Sequence, residues 1–186
     1  MAIAVITYAQ EIDVLNTQYF ETEGGRIAYD DTGGSGPLVI AIPGMGDLRA
    51  EYRHLRPVLH AAGYRVATMD IRGAGESSVQ WADYSAKAVG RDALALLRHL
   101  GEERAFIFGN SFAAGAALWA AHDAPSQVAG VVLLGPIVRD APPSALMDAA
   151  IKLGLPGLGA YGSGRPTGTA CFLYASRTII RLTARC

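Results

Sequence analysis

An apolar run, Ala105-Phe106-Ile107-Phe108, breaks into Gly109-Asn110-Ser111-Phe112-Ala113, and an alanine-rich helical pattern begins at once. No other stretch constrains the chain as much. A buried strand that passes straight into a helix must bend within two or three residues, and the residue at the apex is lifted clear of the sheet. Ser111 holds that apex. The helix behind it opens with backbone N–H groups that have no intrahelical partner and face any negative charge placed there. Gly109 and Ala113 flank the serine because so tight a turn leaves almost no room for side chains, although Ala113 stands where a second glycine is usual. The expectation is a strained backbone at Ser111, with Oγ facing a cleft.

Two stretches upstream sit where such a turn needs support. Leu38–Ile42 reads as a fully buried strand and runs into Pro43-Gly44-Met45-Gly46-Asp47, where the glycines let the main chain bend. A backbone N–H there, that of Met45, can then point at an oxyanion together with the N–H of Phe112. The second stretch, Asp70-Ile71-Arg72-Gly73-Ala74-Gly75-Glu76-Ser77, closes the strand Arg65–Met69. A different reading of Gly44 and Gly46 is the start of a dinucleotide-binding fingerprint, since a strand precedes them and Asp70 closes the next strand. The third small position of that fingerprint is Arg49, a side chain too large for close helix–strand packing, and the reading leaves Ser111 unexplained.

A serine between a glycine and a small residue is common in chains rich in Gly and Ala. Here it lies between a strand and a helix, with two ordered companions before it. From about Thr17 to Arg139 the three segments together resemble the α/β-hydrolase family: an oxyanion loop, a D-x-R-G-x-G-x-S segment and a nucleophile elbow, each after its strand. The resemblance implies an α/β fold, a mostly parallel sheet with helices on both faces. It makes Ser111 the nucleophile, Met45 and Phe112 the oxyanion donors, and Gly44, Gly46, Gly109, Asn110, Ala113, Asp70 and Arg72 residues that shape the site. It also implies that epoxide hydrolases and haloalkane dehalogenases, which look similar, carry aspartate where this chain has serine. Asn110 and Phe112 resemble the elbows of C–C bond hydrolases as well as those of esterases, so ester, amide and C–C bond hydrolysis all stay open.

Strand-like and helical patterns alternate through this region. Tyr19–Glu21 and Arg26–Asp30 flank Gly24-Gly25 as a hairpin; Leu55–Ala62 and Ser85–Leu100 read as helices stopped by Gly63 and Gly101. In the second helix Val89, Ala93, Leu96, Leu97 and Leu100 share one face. With the helix Phe112–His122 and the strand Val131–Leu134, about six strands are expected, the last leaving an open edge. The organisation is an N-terminal extension (1–16), a core (17–140) and a loop with a Gly-rich basic tail (141–186).

The 186 residues are 51% apolar with a net charge of −1, enough for one good core and without the charge excess that points to nucleic acid. The expected partner is a small, neutral or weakly charged molecule. No run is long enough to span a bilayer and residues 2–9 lack the basic flank of a signal peptide, so a cytoplasmic location is expected. Cys171 and Cys186 alone give neither a disulfide framework nor a metal-ligand spacing, and no cofactor is implied. All 17 acidic residues precede residue 149, against 11 basic ones, whereas the final 38 residues carry five basic residues and no acid. Six glycines between Gly154 and Gly168 are poor material for a helix or central strand. The tail's apolar clusters, Phe172-Leu173-Tyr174 and Ile179-Ile180, are too few to cover the open edge, which a second copy of the chain could then pair with.

The resembling family continues into two more strands, a cap, an acid and then a histidine, and nothing in the tail reads as those elements. Of the four histidines only His122 follows Ser111, and 11 residues along one helix is about 16 Å, beyond hydrogen-bond reach. His122 reads as a helix-end residue beside Asp123, and His60 and His99 as surface residues. His54 near the oxyanion loop and Asp140 past the sixth strand are further candidates for base and acid, each with a plain reading as a solvated side chain. The sequence therefore predicts a serine hydrolase scaffold that is weak or inactive as this chain for want of a triad histidine, or else a non-catalytic binding module of the same fold.

Overall fold

Two residues with positive φ, Glu23 (43°) and Gly24 (85°), close the hairpin between β1 (Gln18–Thr22) and β2 (Gly25–Asp31). That pair of left-handed residues gives the loop the twist that antiparallel strands need. The computed structural model describes residues 16–136 and, as strands, 171–175 and 178–182. After the hairpin come β3 (Leu38–Ile42), a 3-10 turn at Arg49–Arg53, α1 (Leu55–Ala61) and β4 (Arg65–Met69). They are followed by α2 (Ala86–His99), β5 (Ala105–Asn110), α3 (Phe112–Asp123), β6 (Val128–Leu134), β7 (Cys171–Ala175) and β8 (Thr178–Leu182). The sheet order is β1-β2-β4-β3-β5-β6-β7-β8. Strands β4, β3, β5 and β6 run parallel, and β2 joins β4 antiparallel.

Every residue of β3 is buried, which a strand with side chains alternating between two faces achieves only when both faces are covered. Ser85 caps α2 by accepting a hydrogen bond from the Ala88 N–H (3.2 Å), and Gly101, at φ 72°, stops it. Val89, Ala93, Leu96 and Leu97 are buried as their spacing predicts. The alanine-rich composition of α3 has a packing cause: a Cβ on Gly90 of α2 would lie 2.6 Å from the Ala116 carbonyl oxygen, so the two helices meet nearly backbone to backbone. Ala116 and Ala120 lie at this contact, which larger residues would force apart, and Ala113, Ala114 and Ala117 are likewise buried.

Two readings are revised. The turn at Arg49–Arg53 carries no local periodic signal and was absent from the sequence pattern. The tail clusters Phe172-Leu173-Tyr174 and Ile179-Ile180, expected to add no strand, lie in β7 and β8, paired antiparallel with β6 and with each other. The unpaired backbone of β6 is a template that a short run of β-forming residues can satisfy. In this sheet the edge of β6 is taken by β7. Residues 137–170, including the candidate acid Asp140, and Cys186 lie outside the described residues.

Candidate active site

The loops after β3, β4 and β5 all leave the carboxyl ends of parallel strands, where ligands bind in open α/β sheets. Ser111 sits between β5 and α3 with φ 54° and ψ −117°, a conformation that an L-residue adopts only when its surroundings impose it. Several constraints impose it here. The Ser111 N–H donates to the Leu134 carbonyl of β6 (2.8 Å), and its own carbonyl accepts from the Ala114 N–H (3.1 Å). Gly109 lets the chain fold back on itself: a Cβ there would come 2.2 Å from the Ala113 carbonyl oxygen. Ala113 is fully buried, so its small side chain suits the position that a second glycine usually takes. Phe112 opens α3, so its N–H has no intrahelical acceptor.

The loop after β3 lies against this turn. A Cβ placed on Gly44 would be 3.6 Å from Ser111 Cβ, 3.3 Å from Asn110 Nδ2 and 3.7 Å from Asp47 Oδ2. The Asp47 N–H donates to the Gly44 carbonyl (3.0 Å) and Gly46 has φ 90°, which makes residues 44–47 a tight turn of the kind that needs glycine at its third position. Met45 at the second position is 69% exposed.

Glu51 joins the two segments and was missed by sequence reading. One carboxylate oxygen accepts from the Gly44 N–H (2.9 Å) and the other from Asn110 Nδ2 (2.7 Å). The neighbouring Tyr52 fixes its place: the phenol is buried and donates to the Ile42 carbonyl at the end of β3 (2.9 Å). Burial, with Glu51 and Asp47 nearby, raises the Tyr52 pKa. Nothing local marks Glu51 in the sequence, because its partner Asn110 is 59 residues away.

Asp70 and Arg72 are tied into the scaffold. Asp70 is fully buried, pairs with Arg49, and accepts from the N–H groups of Arg49 (2.8 Å) and Glu76 (3.1 Å). Arg49 also reaches Asp30 (2.9 Å) and Glu76 (2.7 Å). In place of the helix that a dinucleotide fingerprint would open, the loop after β3 leads into the 3-10 turn, and Arg49 occupies the third small position as a partly buried ion-pair hub. That geometry removes the dinucleotide reading. Arg72 donates to both carboxylate oxygens of the buried Asp92 (2.8 and 2.7 Å) and to the Asp83 carbonyl (2.7 Å). Burial works against its charge, but Asp92 and Glu23 outweigh it and hold its pKa above the ordinary value.

All four histidines are among the described residues, and none hydrogen-bonds to Ser111. His122 pairs with Asp123 (2.8 Å) on an exposed helix end, and His99 contacts the Tyr29 hydroxyl (3.2 Å). His54 is exposed at the junction of the 3-10 turn and α1. No group of three or more His, Cys, Asp or Glu suited to a metal occurs among the described residues, and no helix there is long and apolar enough to cross a membrane. A cleft of about 420 Å³ lined by Pro37, Glu102, Glu103 and Arg104 lies at the opposite ends of β3 and β5, away from the elbow.

The sequence model for the alpha/beta hydrolase fold matches residues 37–160, which takes in all three loops. The chain belongs to the α/β-hydrolase family. Epoxide hydrolase B of Mycobacterium tuberculosis is 40% identical over 100 residues, 52% of this chain and 28% of that protein. A solved hydrolase from Pseudomonas aeruginosa superposes with a TM-score of 0.67 at 30% identity, covering 75% of this chain and 53% of that one. Est816, described as an N-acyl homoserine lactone degrading enzyme, gives a TM-score of 0.65 at 25% identity over 73% of this chain and 52% of its own. The chain thus spans about half the length of these α/β hydrolases of known structure and under a third of the curated relative.

Proposed function

We propose that Ser111 is the nucleophile of a serine hydrolase site that acts on a small neutral or weakly charged acyl compound in the cytoplasm. The observation that carries this reading is the strained Ser111 backbone at a strand-to-helix turn, with the Gly44–Asp47 loop packed beside it. Oγ attacks an acyl carbon, and the oxyanion that forms takes hydrogen bonds from the N–H groups of Phe112 and Met45. Expulsion of the leaving group gives an acyl-enzyme, and water then releases the acid and restores the serine. Ester, amide and C–C substrates all fit this sequence of steps. Several relatives are named as epoxide hydrolases. The resemblance that places aspartate at their elbow separates them from this chain, so their chemistry is not carried over.

With no histidine at Ser111 the hydroxyl proton passes to solvent, and turnover by this chain is set by the oxyanion donors and by binding alone. Loss of a triad member costs on the order of 10⁴ to 10⁶ in turnover. The other reading is a binding module that keeps the fold and does no chemistry. Incubating the purified protein with p-nitrophenyl acetate, followed by intact-mass analysis, decides between them. One acetyl group on Ser111, formed slowly and absent from Ser111→Ala, supports the nucleophile; equal labelling of both proteins, or of neither, supports the binding module.

A further inference from the structure

The Gly44 loop and the Ser111 turn come from strands far apart in sequence, and a nucleophile and its oxyanion donors are useful only when their spacing is held to a fraction of an ångström. Glu51 supplies a direct tie between them. Its two carboxylate oxygens take one hydrogen bond from each side, from Gly44 N–H and from Asn110 Nδ2, the residues directly preceding Met45 and Ser111. A carboxylate suits this task because it accepts through both oxygens, whereas both groups facing it are donors. The tie also commits the Gly44 N–H, so that this amide is not one of those open to an oxyanion. Tyr52, bonded to the end of β3, holds the turn carrying Glu51 in place.

We infer that Glu51 is a positioning residue: a carboxylate clamp that sets the distance between the oxyanion loop and the nucleophile turn. The catalytic part of this inference rests on the reading of Ser111 as nucleophile; the clamp itself does not. The chemistry of the clamp makes a specific demand. Glutamine at position 51 has one acceptor and one donor, so it keeps one contact and turns an N–H against the other. Pairing Glu51→Gln with Asn110→Asp restores the match, since the glutamine oxygen then accepts from Gly44 N–H while its amide donates to the new carboxylate.

The test uses the full chain labelled with ¹⁵N, comparing wild type, Glu51→Gln, Glu51→Ala and the Glu51→Gln/Asn110→Asp pair. Amide hydrogen exchange at Gly44 is expected to rise at least tenfold in Glu51→Ala and to return towards wild type in the double variant, with exchange of β5 amides unchanged in all four. Acylation of Ser111 by p-nitrophenyl acetate is read in parallel, with a loss of about 10- to 100-fold in its limiting rate in Glu51→Ala, as expected when a reacting group is displaced by about an ångström, at unchanged half-saturation. Unchanged Gly44 exchange in Glu51→Ala overturns the clamp. Faster exchange with unchanged acylation overturns its positioning role. Absence of acylation in the wild type defeats the reading of Ser111 instead, and the exchange data still decide the clamp.

Discussion

The loop after β4 and the turn after β5 both leave the carboxyl ends of parallel strands, on either side of β3, yet they spend their polar groups in opposite ways. In the first, Asp70 and Arg72 are buried and answered by Arg49, Asp92 and backbone groups of the same region. In the second, Ser111 is held in a strained conformation, Phe112 N–H opens a helix without a partner inside it, and Met45 beside it is exposed. A loop whose charges are fully answered by its own fold has nothing left to offer a ligand. The turn at Ser111 is built by strong constraints on its backbone that leave its side chain and nearby amides available, as preorganised sites require.

The largest effect should come from breaking the self-satisfied loop. Arg72→Ala leaves Asp92 buried without its cation and is expected to cost about 3–5 kcal/mol in urea unfolding, while Arg72→Met with Asp92→Leu recovers most of it. A loss below about 1 kcal/mol for Arg72→Ala, near the value of a surface pair, would erase the contrast between the two loops.

The opposite sign is expected at the elbow. A non-glycine residue at such φ and ψ stores about 1–3 kcal/mol, and glycine relieves it at the cost of a more flexible unfolded chain. Ser111→Gly should therefore stabilise the protein by about 1 kcal/mol in the same unfolding experiment, whereas Ser111→Ala should leave stability close to wild type. Destabilisation by glycine would show that the conformation carries no strain.

The smallest effect concerns acid. Hydrogen bonds from Thr17 and Arg49, with the Arg49 charge, hold the Glu76 pKa below its ordinary value of 4.5. A carboxylate whose folded pKa is depressed adds stability above the unfolded value and loses it as pH falls through the folded one. Thermal unfolding of Glu76→Gln between pH 6 and 3 should thus fall less steeply than that of the wild type, and its Tm should sit lower at pH 6. Parallel curves would mean that Arg49 is satisfied by Asp30 and Asp70 alone.

The elbow, the glycine turns and strands β1 to β6 were legible because each rests on a local rule: an apolar run of strand length, a glycine where φ must be positive, a glycine stop such as Gly101 after a helical pattern. The site's shape was legible only in outline. Arg49 was read as an obstacle to helix packing, and its actual role as an ion-pair hub depends on Asp30, Asp70 and Glu76, none of them near it in sequence. The strands β7 and β8 were missed for a related reason, since their pairing depends on the free edge of β6 rather than on their own thin apolar pattern.

By itself the sequence determined that a serine stands where a strand-forming run gives way to a helix-forming one, after a glycine loop, because both patterns are local and the small Gly109 and Ala113 leave room for a tight turn. The tertiary structure alone decided what that serine faces. Placing β3 between β4 and β5 brings Gly44, Glu51 and Asn110 together, and contacts across 59 residues depend on the order of strands in a sheet, which no local pattern of residues encodes.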